Sequence, residues 1–154
     1  MIRINRETDY GIVLMAHLAR HHPKPFSASQ LAQAQRLPLP MVSKILKALT
    51  KSGLLISQRG ARGGYHLAHA PEAVSVVDVI DALEGPVALT ECSVVDPRGC
   101  VHQPHCALSG HWHRLNEVVR TALAEVSLAE LSHPVSTDDV TVARISVDSL
   151  RTPS

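Results

Sequence analysis

Apolar residues recur at helical spacing from the start of the chain. Ile4, Ile12, Met15, Leu18 and Ala19 predict an amphipathic helix that fades at His21, His22 and Pro23. Pro23 and Pro25 then impose an extended connection. Ser27, with Gln30 three residues on, has the form of a capping box and opens a short second helix over 28 to about 34. After a break at 36–40, a third helix runs from about 40 to 52. Val42, Ile45, Leu46 and Leu49 face inward on it, and Gly53 stops it. Its outward face is Met41, Ser43, Lys44, Lys47, Thr50 and Lys51. Two β-rich runs, 54–59 and 64–68, flank Gly60, Ala61, Arg62 and Gly63, predicting a hairpin with a glycine-rich tip.

The second half continues the same grammar. Past Pro71, Ser75 and Asp78 cap a fourth helix over 76–84, closed by Gly85 and Pro86. A loop follows, punctuated by Pro97, Gly99 and Pro104. From about 108 the helical period resumes, with Trp112, Leu115, Val118/Val119, Ala122/Leu123 and Val126 in one apolar stripe. A helix of ~18 residues spans ~27 Å, more than so small a domain covers alone. Packing against its own copy in a symmetric homodimer is therefore expected; an intramolecular core helix is the alternative. Ser127 and Glu130 cap a last short helix, and 135–154, rich in Ser, Thr and Asp, reads as a mobile tail.

The predicted fold class is mainly α with a small β-hairpin: a winged helix-turn-helix plus a long dimerisation helix. The boundaries are 1–70 for the winged module, 71–90 for a connecting helix and 91–107 for a loop. The long helix and short final helix take 108–132, and the tail 133–154.

Charge sharpens this picture. The net charge of +1 hides a segregation: residues 1–64 carry ten Lys/Arg against Glu7 and Asp9, leaving +8. Residues 65–154 carry five Lys/Arg against twelve Asp/Glu, leaving −7. A polyanion partner for the front half follows, and double-stranded DNA suits a helix whose exposed face offers Lys and Ser. Arg59 and Arg62 at a flexible tip reach phosphate or the minor groove. Candidate DNA contacts are Met41, Ser43, Lys44, Lys47, Arg59, Gly60 and Arg62. Taken singly, the lysines are a solvated helix face and the glycines serve turn geometry. Their order, inside the +8 half, favours DNA. No apolar run reaches the roughly 18 residues that span a bilayer, and the charged start lacks a secretion signal, so no membrane and a cytoplasmic location are expected.

All three cysteines lie between Glu91 and His113, at Cys92, Cys100 and Cys106, with four of the ten histidines: His102, His105, His111 and His113. An odd cluster in the cytoplasm points to metal or redox chemistry rather than structural disulfides. Thiolates suit an iron–sulfur cluster and zinc alike, and the spacing leaves the two level. A cysteine-dependent enzyme would need Cys106 beside His105 or His111. No nucleophile turn or oxyanion glycine motif accompanies them, so no enzyme is expected.

The stretches TDYGIVLMAHLA, LPLPMVSKILKAL, SGLL, RGARGGYHLA and DVIDALEGPVALTEC resemble the Rrf2 family of bacterial winged-helix regulators. This is the family of the iron–sulfur regulators IscR and NsrR, and the likeness, over about 1–132, is nearest to its SUF-system (SufR-type) branch. It implies a homodimer on palindromic promoter DNA, repressing iron–sulfur assembly genes, with an iron–sulfur cluster (2Fe-2S or 4Fe-4S) tuning affinity. The stretch 40–47 and the wing 59–64 would carry the DNA contacts. Ser43 stands where IscR reads a base with glutamate, so the target need not match. Ser109 stands where IscR has a histidine ligand. NsrR takes an aspartate from the partner's first helix, and the matching residue is Asp9, which makes Cys92, Cys100, Cys106 and Asp9 the implied ligand set. His105 and His111 are alternatives, ahead of His102 and His113. Asp9 also suits the dipole of a helix start.

Overall fold

Helices begin where a side-chain oxygen meets the unpaired N–H groups of a first turn. In this computed structural model, which describes residues 3–90, 93 and 105–133, Asn5 caps α1 (Arg6–Arg20) through Thr8 N–H. Ser27, Ser75 and Ser127 each form a full capping box, opening α2 (Ala28–Gln35), α4 (Val76–Leu83) and α6 (Leu128–Ser132). Such caps contribute roughly 1 kcal/mol each. The third helix, α3 (Leu39–Lys51), starts without a side-chain cap, and Pro40 sits in its first turn, where a missing N–H costs nothing. A 16-residue helix, α5 (Ser109–Ala124), precedes α6.

Between α2 and α3 the chain turns at Arg36, in the left-handed conformation at φ 54°. Leu37 N–H returns to Ala32 C=O at 2.9 Å and closes the turn. No glycine marks this break. The hairpin strands β1 (Leu55–Gln58) and β2 (Gly64–Leu67) pair antiparallel, Leu55 opposite Leu67 and Gln58 opposite Gly64. Backbone bonds of Phe26 with Tyr65, at 2.8 and 3.0 Å, stitch the proline-rich connection onto β2. Gly64 permits this approach. It holds φ 147°, and a Cβ there would lie 2.6 Å from the Phe26 carbonyl oxygen.

One core joins these elements. Leu14, Met15 and Leu18 of α1 meet Leu31 of α2, Ile45, Leu46 and Leu49 of α3, Leu55 and Leu67 of the hairpin, and Val79 of α4. Each fully buried aliphatic side chain contributes about 1.5–3 kcal/mol. Leu128 of α6 is fully buried in the same core, and Arg20 Nε donates to Ser132 C=O at 2.8 Å. Leu128 N–H donates to Val74 C=O, and Val76 N–H to Val126 C=O. The last helix thus returns to the first module rather than extending the long helix, because a core leucine and a backbone bridge hold it there.

Two inward assignments shift. Ile4 precedes α1 and is 48% exposed; Leu14 takes the core position. On α5, Leu115 is 50% exposed while Asn116 is buried at 4%. The helical period admits either register after Trp112, and the polar residue is the one that turns in. The expected tail over 133–154 lies, beyond His133, outside the described residues.

Candidate nucleic-acid interface and cysteine loop

Burial of Val42, Ile45, Leu46 and Leu49 fixes which side of α3 faces away from the core. Lys44, Lys47 and Lys51 are exposed there, and Ser43 is half-buried. Met41, expected outward, is half-buried against the core cluster. Arg59, Gly60 and Arg62 are exposed at the hairpin tip, where Gly63 N–H closes onto Gly60 C=O at 2.9 Å and Gly60 holds φ 113°.

Lys47, Thr50 and Lys51 share a recess of about 310 Å³ with Ser57 and Tyr65 of the hairpin. The cationic side of α3 therefore faces the wing across an open groove. Ser57 and Tyr65 were not candidates from sequence, and Thr50 and Lys51, on the predicted outward face, were not among the candidate DNA contacts. No motif reveals a groove made by two elements. Lys44 differs from its neighbours: its ammonium donates to Glu7 Oε2 of α1 at 2.7 Å. Among the described residues, Lys47, Lys51, Arg59 and Arg62 pair with no carboxylate.

The cysteine loop is described at its two ends. Cys92, Cys100 and His102 lie outside the described residues. Cys106 is a half-buried free thiol, and its C=O accepts from Ser109 N–H at the head of α5. His105, His111 and His113 are exposed. Asp9 is exposed in the first turn of α1, where the helix dipole favours an acid. Among the described residues no three His, Cys, Asp or Glu side chains gather as a metal site.

The stem leading into the loop is firmly held. Asn116 Oδ1 accepts from Leu89 N–H at 3.0 Å, and its Nδ2 donates to Val87 C=O at 3.2 Å. Asp81 of α4 accepts from Val87 N–H at 3.0 Å and from both terminal nitrogens of Arg120, at 3.2 and 2.9 Å. Those side-chain bonds with Asp81 push the Arg120 pKa up. None of these residues carried a sequence motif, since their partners are backbone atoms or lie 39 positions away. A cleft of about 520 Å³ runs along the stem, lined by Ile4, Ile80, Val87, Leu89, Val119 and Leu123 among others.

A second cluster sits at the α1–α2 junction. The His17 ring lies 4.4 Å from that of His21 and edge-on to Phe26 at 5.1 Å, with Nδ1 bonded to Gln35 Nε2. Burial, then the positive charge of His21 and Arg20, lowers the His17 pKa.

Comparison with known proteins places this geometry. A family model, Rrf2, described as an iron-dependent transcriptional regulator, matches residues 4–134. The protein rrf2 of Nitratidesulfovibrio vulgaris is 30% identical over 88% of this chain and 90% of its own. The regulator IscR of Erwinia tasmaniensis is 30% identical over 84% of this chain and 78% of its own. A solved structure of CymR, the global cysteine regulator of B. subtilis, superposes with TM-score 0.68 at 30% identity. It covers 86% of this chain and 97% of that one.

Proposed function

The chain belongs to the Rrf2 family of DNA-binding transcriptional regulators, and from that premise we propose that it acts as a homodimer on promoter duplexes. Its α3 face and wing read the DNA, and an iron–sulfur cluster on the cysteine loop adjusts affinity. The gene class we assign is iron–sulfur assembly of the SUF type, with repression as the sense.

One observation carries the DNA assignment. Lys47 and Lys51 flank a groove shared with the hairpin, whose tip presents Arg59 and Arg62, and none of the four has a carboxylate partner among the described residues. Unpaired cations release condensed counterions when they meet phosphates, so they add affinity without first losing an ion pair. Lys44 and Ser43 face bases or backbone on the same helix, Gly60 lets the tip approach closely, and Met41 braces the helix against the core.

The dimer reading rests on α5. Leu108, Leu115 and Val126 are exposed along or beside it, and Asn116 is its only fully buried residue. A 16-residue helix with that exposure is stabilised by a copy of itself.

The donor set fits an iron–sulfur cluster: three thiols, of which Cys106 is half-buried beside the head of α5, and an exposed carboxylate at Asp9. In this reading Cys92, Cys100 and Cys106 hold the cluster with Asp9 of the second subunit. When bound, the cluster would supply redox-active chemistry to these residues. The residues of α1 then set the angle between the two readers, and half-sites about one helical turn apart make affinity sensitive to that angle. The same three cysteines are open to a second reading, in which they act as redox-sensing thiols or hold zinc.

Two measurements test this. Titration of a duplex carrying the chain's own upstream region should show binding that weakens steeply with salt; absence of any shift in every metal state overturns the regulator's proposed mode. Anaerobically purified protein should be coloured, with iron and sulfide. A colourless protein with zinc, or with neither metal nor sulfide, moves the conclusion to the second reading.

A further inference from the structure

The outward side of α3 is sorted by chemistry from end to end. Leu39, Ser43, Lys47 and Lys51 stand four residues apart and form one ridge over ~18 Å of helix. Its trailing end is cationic: Lys47 and Lys51 are exposed and share the recess with the hairpin. Its leading end is apolar. Leu39 is 44% exposed, although Leu37 and Met41, two residues to either side, pack against the core cluster. Pro38 and Pro40 flank it and are exposed as well, so an apolar nose leads the helix. A lone exposed leucine is ordinary on a protein surface; one at the head of a helix that enters a groove is not.

What α3 lacks gives this nose its meaning. The helix, LPMVSKILKALTK, holds no arginine, asparagine, glutamine, aspartate or glutamate. Those are the side chains that read guanine, adenine and cytosine edges by directed hydrogen bonds. Lysine also bonds guanine, but Lys44 is held by Glu7, and Lys47 and Lys51 sit at the wing end of the ridge. One base feature remains for an apolar side chain, the 5-methyl group of thymine. Recognition helices meet base edges with their leading residues, which is where Leu39 stands. Pro38 holds φ −62°, and the two rings restrict the backbone on either side, so little chain entropy is lost when the nose enters a groove. We propose that Leu39 is the specificity-determining residue of α3 and that it reads the methyl group of a thymine in the major groove. This rests on the DNA assignment above and adds the base to it.

In the test, full-length protein first selects duplexes from a random-sequence pool at low salt. Each thymine of the recovered site is then exchanged singly for deoxyuridine, which removes the methyl and keeps the base pair. For the parent, one exchange in a half-site should weaken binding about three- to fivefold, the effect of uncovering one buried methyl. Leu39→Ala should bind the thymine duplex more weakly by a similar factor and lose less than about 1.5-fold on the same exchange. Its salt slope should match the parent's, because no charge has changed. Leu39→Met keeps an apolar contact and should keep the methyl effect. Lys51→Ala should do the reverse of Leu39→Ala, lowering the salt slope by about 1 with the methyl effect intact. Leu39→Ala should hold its Tm within about 2 °C, since the side chain is exposed.

A site with no methyl-sensitive thymine, or an equal loss in Leu39→Ala and the parent, overturns the proposal. Salt-dependent binding in that same experiment leaves the DNA assignment standing. Should Leu39→Ala lose its helical signal, the same comparison in Leu39→Ser decides the matter. If the pool yields no bound duplex at all, the DNA assignment fails and this inference falls with it.

Discussion

Lys44 Nζ of α3 donates to Glu7 Oε2 of α1 at 2.7 Å, tying the lysine-bearing third helix to an acid of the first. The lysine side chain is 69% exposed, so the pair itself stabilises the fold by about 0–1 kcal/mol. Its larger effect is on the field above α3, where Glu7 cancels one of the few cations there. Glu7→Gln should tighten duplex binding about two- to fivefold at low salt, an effect that fades as ionic strength rises. Fluorescence anisotropy across a salt series measures this. Weaker binding in Glu7→Gln would mean instead that the pair orients Lys44.

Arg59 and Arg62 stand exposed at the hairpin tip without a carboxylate partner among the described residues. Each alanine substitution should reduce the slope of log affinity against log salt by about 1, with Arg59→Ala the costlier where the tip enters a groove. Thermal stability should stay put, because both side chains are exposed.

Gly64→Ala attacks the wing from its base. The new methyl would meet the Phe26 carbonyl, and φ 147° strains any L side chain. A loss of about 1–3 kcal/mol is expected, with Tm falling by roughly 5–10 °C in calorimetry. An unchanged Tm would show that the Phe26–Tyr65 bridge is dispensable.

His17 makes stability depend on pH. Its folded pKa lies below the ordinary 6.5, so the unfolded chain binds the proton more readily. Its contribution is complete above pH 6.5 and is lost as pH falls from there toward the lowered value. His17→Phe, which keeps a ring against Phe26 and leaves His21, Arg20 and Lys24 in place, should flatten the slope of Tm between about pH 7.5 and 5.5. A slope unchanged from the parent assigns the dependence to another group.

Cys92→Ala, Cys100→Ala and Cys106→Ala should each abolish the visible absorbance of anaerobically reconstituted protein while leaving a folded dimer. Asp9→Ala should shorten the lifetime of that absorbance in air. Iron and sulfide counts beside sedimentation check both; an Asp9→Ala protein indistinguishable from the parent removes Asp9 from the ligand set and leaves it a helix-start acid.

What was legible in the chain was local. The three Ser-led capping boxes, the inward set Val42, Ile45, Leu46 and Leu49, and the glycine-tipped hairpin appear where spacing placed them. Each depends on atoms within a few residues, so periodicity and cap chemistry suffice. The break at Arg36 was marked only as a gap, since a left-handed arginine has no sequence signature.

The amino-acid order alone therefore determined the succession of helices and hairpin, the basic front half and the placing of all three cysteines between positions 92 and 106. Tertiary structure decided which charges are free and which polar residue goes inside. Lys44 meets an acid 37 positions away, Asn116 rather than Leu115 turns inward to satisfy backbone 27 and 29 positions away, and α6 returns to the first core through Leu128. Those choices follow from unpaired backbone groups and buried area contributed by distant segments, quantities that exist only once the chain has folded.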